Sequence, residues 1–203
     1  MARGRLITIE GLDGAGKTTL ARGLEEELAR RGIPARSLRE PGGVELSERI
    51  RVLVKEPGLQ ISARAETLLY AAARAQLVEE KVEPLLAEGT WVVLDRFVES
   101  SLAYQGGGRE LGEEAVRAVN KFATAGLAPD LTLLLRVEPA TGRERLAGRG
   151  DAPDRLELED AEFFERVREL YERLATRPGV TVIDAARSPA EVLAEALEAV
   201  RAL

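Results

Sequence analysis

Short apolar runs alternate with longer stretches in which apolar positions recur every three to four residues. Leu6-Ile7-Thr8-Ile9 is a compact run that reads as a buried strand. A helix is expected from about Thr18 to Arg31, ended by Gly32 as a C-cap. Pro34 to Leu38 reads as a second, weaker strand, and Leu46 to Val54 carries helical spacing. So does Ala63 to Ala87, which Gly89 stops. Trp91-Val92-Val93-Leu94 and Leu131-Thr132-Leu133-Leu134-Leu135 are near-continuous apolar runs, as expected of strands covered on both faces. Val180-Thr181-Val182-Ile183 is a fifth run, and Pro189 opens a last helix. Strands alternating with helices imply right-handed βαβ crossovers. The expected class is α/β: a three-layer sandwich with a central five-stranded parallel sheet and helices on both faces, one domain over residues 1–203. Arg143 to Arg155, rich in arginine and interrupted by Gly148, Gly150 and Pro153, breaks this regularity. It is expected to be a mobile lid over about residues 142–156.

Composition narrows the chemistry. The 203 residues are 45% apolar and 32% charged, which suits one large core and argues against disorder. A net charge of −6 argues against a nucleic-acid partner. No run approaches the ~20 apolar residues of a membrane span, and no signal-like apolar stretch follows Met1-Ala2-Arg3-Gly4-Arg5. The cytoplasm is the expected compartment. The chain has no cysteine and no histidine, which excludes disulfides, cysteine–zinc sites, thiol nucleophiles and Ser-His-Asp chemistry. Carboxylates, hydroxyls, Lys, Arg and a metal ion remain, and phosphoryl transfer asks least beyond those groups.

One motif supplies that chemistry. Gly11-Leu12-Asp13-Gly14-Ala15-Gly16-Lys17-Thr18, followed by Thr19, matches G-x-x-x-x-G-K-[ST] in full and lies between an expected strand and an expected helix. Its glycines let backbone N–H groups converge on phosphate oxygens beside a helix N-terminus. Lys17 is expected to reach the β- and γ-phosphates of ATP, and the Thr18 hydroxyl to ligate Mg²⁺. Asp95, closing Val92-Val93-Leu94-Asp95, is either a second magnesium ligand, direct or through water, or a cap for the next turn. The phosphate loop favours the metal. The fold expected is thus of the P-loop NTPase type.

The residues around the loop bear on the acceptor. A guanine-binding Asn-Lys-x-Asp is missing, because Asn120-Lys121-Phe122-Ala123 lacks the final Asp. A hydrolytic ATPase usually places Glu after the strand-end Asp to polarise water; here Arg96 follows Asp95. A planar guanidinium beside the phosphates suits an acceptor phosphate.

Asp95-Arg96-Phe97-Val98-Glu99-Ser100-Ser101-Leu102-Ala103-Tyr104-Gln105-Gly106 resembles the Asp-Arg-Tyr-x-x-Ser-x-x-Ala-Tyr-Gln-Gly signature of thymidylate kinases, with Phe97 for the usual Tyr. Arg39-Glu40-Pro41-Gly42-Gly43, Tyr70-Ala71-Ala72-Ala73-Arg74 and Asp154-Arg155-Leu156-Glu157 are similar to three further segments of that family. The resemblance spans residues 5 to about 170. It implies magnesium-dependent transfer of the γ-phosphoryl group of ATP to dTMP. It also implies that Arg96 binds the dTMP phosphate. Tyr70 would stack on thymine and Arg74 donate to its O4. Ser101 and Gln105 would contact the base, and Tyr104 would crowd the 2′ position. Asp13 is read as a partner of the acceptor 3′-hydroxyl, as a metal contact, or as a carboxylate bracing its own loop. Arg51 is read as an acceptor-pocket residue or as part of a solvated helix face.

Thymidylate kinases come in two arrangements, one with a basic residue in the phosphate loop after the acidic one. The other has Gly there and draws catalytic arginines from the lid. Gly14 follows Asp13, and Arg143, Arg145, Arg149 and Arg155 populate the lid, so the chain resembles the second, bacterial type. Arg149, with Arg145 on the same face, is the expected catalytic arginine. The family is homodimeric, and a homodimer built from helix packing is expected. Two alternatives stand beside this reading: another nucleotide or deoxynucleoside kinase, and a nucleotide-dependent switch.

Overall fold

The structure, a computed structural model, describes residues 2–148, 150 and 152–203. Five strands, β1 (Leu6–Gly11), β2 (Ala35–Arg39), β3 (Trp91–Asp95), β4 (Leu131–Arg136) and β5 (Val180–Asp184), form one sheet in the order β2-β3-β1-β4-β5. Every neighbouring pair is parallel. Between them run α1 (Lys17–Arg30), α2 (Glu45–Lys55), α3 (Ala63–Leu77), α4 (Glu83–Ala87), α5 (Val98–Ser101), α6 (Glu113–Ala123), α7 (Pro139–Ala147) and α8 (Ala161–Leu174), and α9 (Pro189–Val200) follows β5. The five-stranded parallel sheet with helices on both faces is the architecture the sequence implied.

The pleat explains the unbroken apolar runs. Ile7, Ile9 and Val93 pack with Leu20, Leu24 and Leu28 of α1 and Val192 and Ala196 of α9. Leu6, Val92 and Leu94 turn the other way, onto Leu77 at the end of α3 and Leu86 of α4. With both faces covered, alternating directions still need apolar residues at every position. Because all strands run one way, the chain leaves β1 and β3 at the same edge. The Gly11 loop and Asp95-Arg96 therefore emerge side by side, where parallel sheets form their crevices.

Several stretches differ from the sequence expectation, among them α5 and a π-helical turn over Leu102–Gly108, which had no counterpart in it. The helix expected over 63–87 is α3, then a π-helical turn over Val78–Val82, then α4. The wide turn falls just before Pro84, which lacks an N–H and whose ring cannot abide the carbonyl four residues back. The supposed excursion from Arg143 begins inside a helix, since α7 contains Arg143 and Arg145. And α8 had no counterpart in the expected elements, although its signal is present. Asp160 caps it by accepting from the Phe163 N–H at 2.7 Å, and Phe163, Val167, Leu170, Tyr171 and Leu174 are buried at helical spacing. Burying each such side chain contributes about 1.5–3 kcal/mol, so core contact rather than helix propensity docks α8.

Candidate active site

A cavity of about 170 Å³ opens where β1 and β3 end. Its floor is the phosphate loop, from which Asp13, Gly14, Gly16, Lys17 and Thr18 line it. The Lys17 ammonium, almost wholly buried, donates to the carbonyls of Gly11 (3.0 Å) and Leu12 (2.8 Å). Burial and, after it, the Arg96 cation lower its pKa from 10.5 to about 8, against the opposing pull of Asp13, Asp95 and Glu10. Leu12 and Ala15 are buried under the loop, and Thr19 is an exposed residue of the first turn of α1. Gly14 sits at φ +81°, and a Cβ there would come within 2.2 Å of the carbonyl oxygen of Gly142 in α7. The loop carries no side chain at that point because the lid helix presses on it.

The wall facing the loop is built on a strained turn. Arg96 adopts the left-handed region at φ 72°, a conformation that costs a non-glycine residue about 1–2 kcal/mol. Two bonds hold it: its N–H donates to the Ile9 carbonyl (2.9 Å), and the following Phe97 N–H donates to Glu10 (2.7 Å). Glu10, buried within the sheet, also accepts from Ser100 (2.5 Å) and Tyr171 (3.2 Å). The turn aims the Arg96 guanidinium across the cavity at the phosphate loop. There it meets Asp13 at 2.6 Å, with Ser100 at 2.9 Å and the Tyr104 ring 5.0 Å beneath it. The Tyr104 hydroxyl donates to the other Asp13 oxygen at 2.8 Å. Burial alone would push the Asp13 carboxyl up, but Arg96, Lys17 and the Tyr104 hydroxyl override it and hold it well below the usual carboxylate range. Burial works against the Arg96 cation, yet Asp13 leads the groups that raise its pKa well above the ordinary value.

Thr18 and Asp95 meet at the loop's other end, with the hydroxyl donating to the carboxylate at 2.6 Å. Both offer hard oxygen donors. Among the described residues no group of three or more acidic side chains gathers into a cage. A two-ligand site of this kind fits Mg²⁺, which keeps waters and takes its remaining oxygens from phosphates.

Tyr70, Arg74, Ser101, Gln105 and Arg51 also line the cavity. Arg51 therefore faces the site rather than open solvent, donating to the Pro41 carbonyl at 3.0 Å. Arg74 differs from the expectation drawn for it. Its side chain is 2% exposed and its guanidinium donates to Glu40 (2.7 Å), Ser101 (2.9 Å), Asn120 and the Phe97 carbonyl (2.7 Å). A base oxygen meets it only by sharing a donor already in use. Arg145 does not line the cavity: its guanidinium donates to the Ala185 carbonyl (2.9 Å) and lies 3.5 Å from that of Gly14. Arg149 lies outside the described residues.

The family model for thymidylate kinase matches residues 9–196. The chain belongs to the thymidylate kinase family. It is 48% identical over 203 residues to the thymidylate kinase of Alkalilimnicola ehrlichii, covering 98% of this chain and 92% of the relative. It is 47% identical to that of Chromobacterium violaceum, with 95% and 92% covered. For that of Carboxydothermus hydrogenoformans the identity is 45%, with 95% of each chain covered. Within this thymidylate kinase fold the structure adds residues that motif reading passed over. Glu40 lines the cavity, and burial raises its carboxyl from 4.5 to about 7, against the pull of Arg74. Lys55, Asp154 and Glu157 line it as well, and Lys55 pairs with Asp154 at 2.6 Å. Glu40, Asp154 and Glu157 were legible only as parts of family segments; nothing marked Lys55 as lining until the chain was folded.

Proposed function

We propose that this thymidylate kinase passes the γ-phosphoryl group of MgATP to dTMP, and that the cavity is its acceptor site. The observation that carries this reading is the Arg96–Asp13 contact, which puts a phosphate-gripping guanidinium directly against the triphosphate loop. An anionic oxygen of the dTMP phosphate attacks the γ-phosphorus, the bond from that phosphorus to the β-bridging oxygen breaks, and ADP leaves. No side chain need remove a proton, since the attacking oxygen is already ionised at neutral pH. Catalysis is then positioning and charge stabilisation.

Each group has a part. The loop from Gly11 to Thr19 cradles the ATP phosphates by backbone N–H groups, and Lys17 balances their charge. Thr18 and Asp95 would hold Mg²⁺, which neutralises charge on the transferring group when bound. Arg96 grips the dTMP phosphate and keeps it in line. Tyr70 stacks on the base, Ser101 and Gln105 address its edge, and Arg74 braces Ser101 from behind. Tyr104 and Asp13 border the sugar, and Arg51 flanks the acceptor phosphate. Arg149 is assigned to the γ-phosphoryl group as it transfers, and Arg145, which sits beside Gly14, to the ATP side of the loop. Residues 1–203 act as one nucleoside monophosphate kinase domain whose lid spans about 142–156. The enzyme is assigned to the cytoplasm.

A second copy of the chain is its expected partner. Helix α2 packs on α3, which packs on α6, so their outer faces adjoin. Val52, Leu68 and Phe122 protrude from them, Phe122 at 90% exposure. Apolar exposure of that kind on adjoining helices suits an isologous dimer.

The deciding measurement is ADP release in a coupled assay with dTMP, dCMP, dGMP and thymidine as acceptors, with ³¹P detection of dTDP. Preference for dTMP supports the reading. Preference for a nucleoside or another monophosphate would identify a different kinase, and nucleotide binding without any transfer would identify a switch.

A further inference from the structure

Glu66 stands in the first turn of α3 with its side chain fully enclosed. Three segments converge on it. The Gln105 side-chain amide donates to Oε1 at 2.9 Å. Arg109 donates through Nε (3.2 Å) and Nη2 (3.0 Å). Arg155 Nη2 lies 2.6 Å from Oε2, an ion pair without hydrogen-bond alignment. Of these four residues only Gln105 lines the cavity.

A carboxylate offers acceptors alone, so an amide can meet it only through its nitrogen. Anchoring the Gln105 nitrogen on Glu66 leaves the carbonyl oxygen as the end available to the cavity. We propose that Glu66 is a specificity-positioning residue: it holds the Gln105 amide with its nitrogen turned to Glu66 and its carbonyl oxygen, an acceptor, turned to the base of the nucleotide. The inference rests on the dTMP kinase reading above. An acceptor there matches a ring N–H, which thymine carries at N3. Cytosine has a lone pair at that position, so two acceptors would face each other without a proton between them.

The anchors make the lock rigid. Arg109 is held a second time by Glu159 at 2.5 Å and lies over the Phe163 ring at 4.9 Å. Arg155 is tied to the end of α2, with Nε donating to the Val54 carbonyl (2.9 Å) and its backbone N–H to that of Lys55 (3.3 Å). Two guanidinium groups thus balance the charge of Glu66 and stop its carboxylate from rotating. One of them, Arg155, belongs to the end of the lid segment.

Glu66→Gln tests the lock, because a glutamine at this position can present either end and frees the Gln105 amide to turn over. Dissociation constants for dTMP and dCMP would be measured calorimetrically, and kcat/KM for both acceptors alongside. E66Q is expected to reduce the preference for dTMP over dCMP about ten- to hundredfold, the worth of one buried mismatched polar pair. The KM for ATP should stay unchanged. Gln105→Met should lose the same preference, and the double variant no more than either. Parallel weakening of both nucleotides by E66Q, with the preference intact, would overturn the proposal and leave Glu66 a structural residue. If E66Q does not fold by circular dichroism, Q105M decides: a retained preference overturns the proposal, a lost one supports it. A wild-type protein that neither binds nor phosphorylates dTMP would instead refute the functional reading.

Discussion

Lys17 is the residue whose removal should separate function from stability most sharply. Its ammonium is buried against two carbonyls, and burial lowers its pKa from 10.5 to about 8. A lysine easier to deprotonate when folded is a lysine whose charge costs the folded state. That fall corresponds to about 3 kcal/mol at neutral pH. Lys17→Met keeps the stem volume and removes the charge. It also forfeits two hydrogen bonds, at about 1 kcal/mol each. The nucleotide-free variant should therefore be more stable by about 1 kcal/mol, a rise in Tm of roughly 2–4 °C for a chain of this size. The pH dependence follows from linkage. Between pH 8 and 10.5 the unfolded lysine holds its proton while the folded one releases it, so wild-type stability rises over that window. The advantage of K17M should be full below pH 8, and by pH 10.5, with the charge penalty gone and the two hydrogen bonds still missing, K17M should be the less stable protein by about 2 kcal/mol. Differential scanning calorimetry at pH 7 and at pH 10, without nucleotide, reads both effects. With ATP at a hundred times its Kd the wild type should gain about 2.7 kcal/mol and K17M nearly nothing, with dTDP formation lost. A variant that melts below wild type at pH 7, or by the same margin at both pH values, would refute the reasoning.

Gly14→Ala places a Cβ within 2.2 Å of the Gly142 carbonyl at a left-handed φ, so it should cost about 2 kcal/mol or more and depress kcat, by thermal melts and steady-state assay. Glu40→Gln should flatten the pH dependence of unfolding between 4.5 and about 7. The wild-type carboxyl holds its proton longer when folded, so its stabilising contribution is full below pH 4.5 and is lost by pH 7; Glu99, raised to about 7 by burial, shares that slope and is cancelled in the difference. Arg96→Ala should raise the KM for dTMP roughly 100-fold, the worth of two charge-assisted hydrogen bonds, with ATP affinity little changed. Arg149→Ala should instead lower kcat, and an ATP-only defect in R96A would break the acceptor assignment. Phe122→Glu should give a monomer by analytical ultracentrifugation; an unchanged sedimentation coefficient would move the dimer interface elsewhere.

The sequence by itself determined the parts that depend on spacing along the chain. Gly11 to Thr18 specifies a phosphate loop because backbone N–H groups can converge only with glycines at those intervals. Doubly buried strands specify a parallel sheet because both faces demand apolar residues. Tertiary structure decided which distant charges meet. Arg96 could have paired with Asp95 or Glu99; the left-handed turn braced by Glu10 sends it to Asp13, 83 residues away. Arg74 looked like a free base-reading donor until Glu40, Ser101 and Asn120 closed around it. Glu66 gave no signal, since a carboxylate in a first helical turn is ordinarily solvated and favourable to the dipole. Only folding buries it among Gln105, Arg109 and Arg155, and burial makes its partners matter. Gly14 shows both levels at once. The sequence showed that the loop lacks a basic residue there; the backbone of Gly142, pressed against it, is the reason none fits.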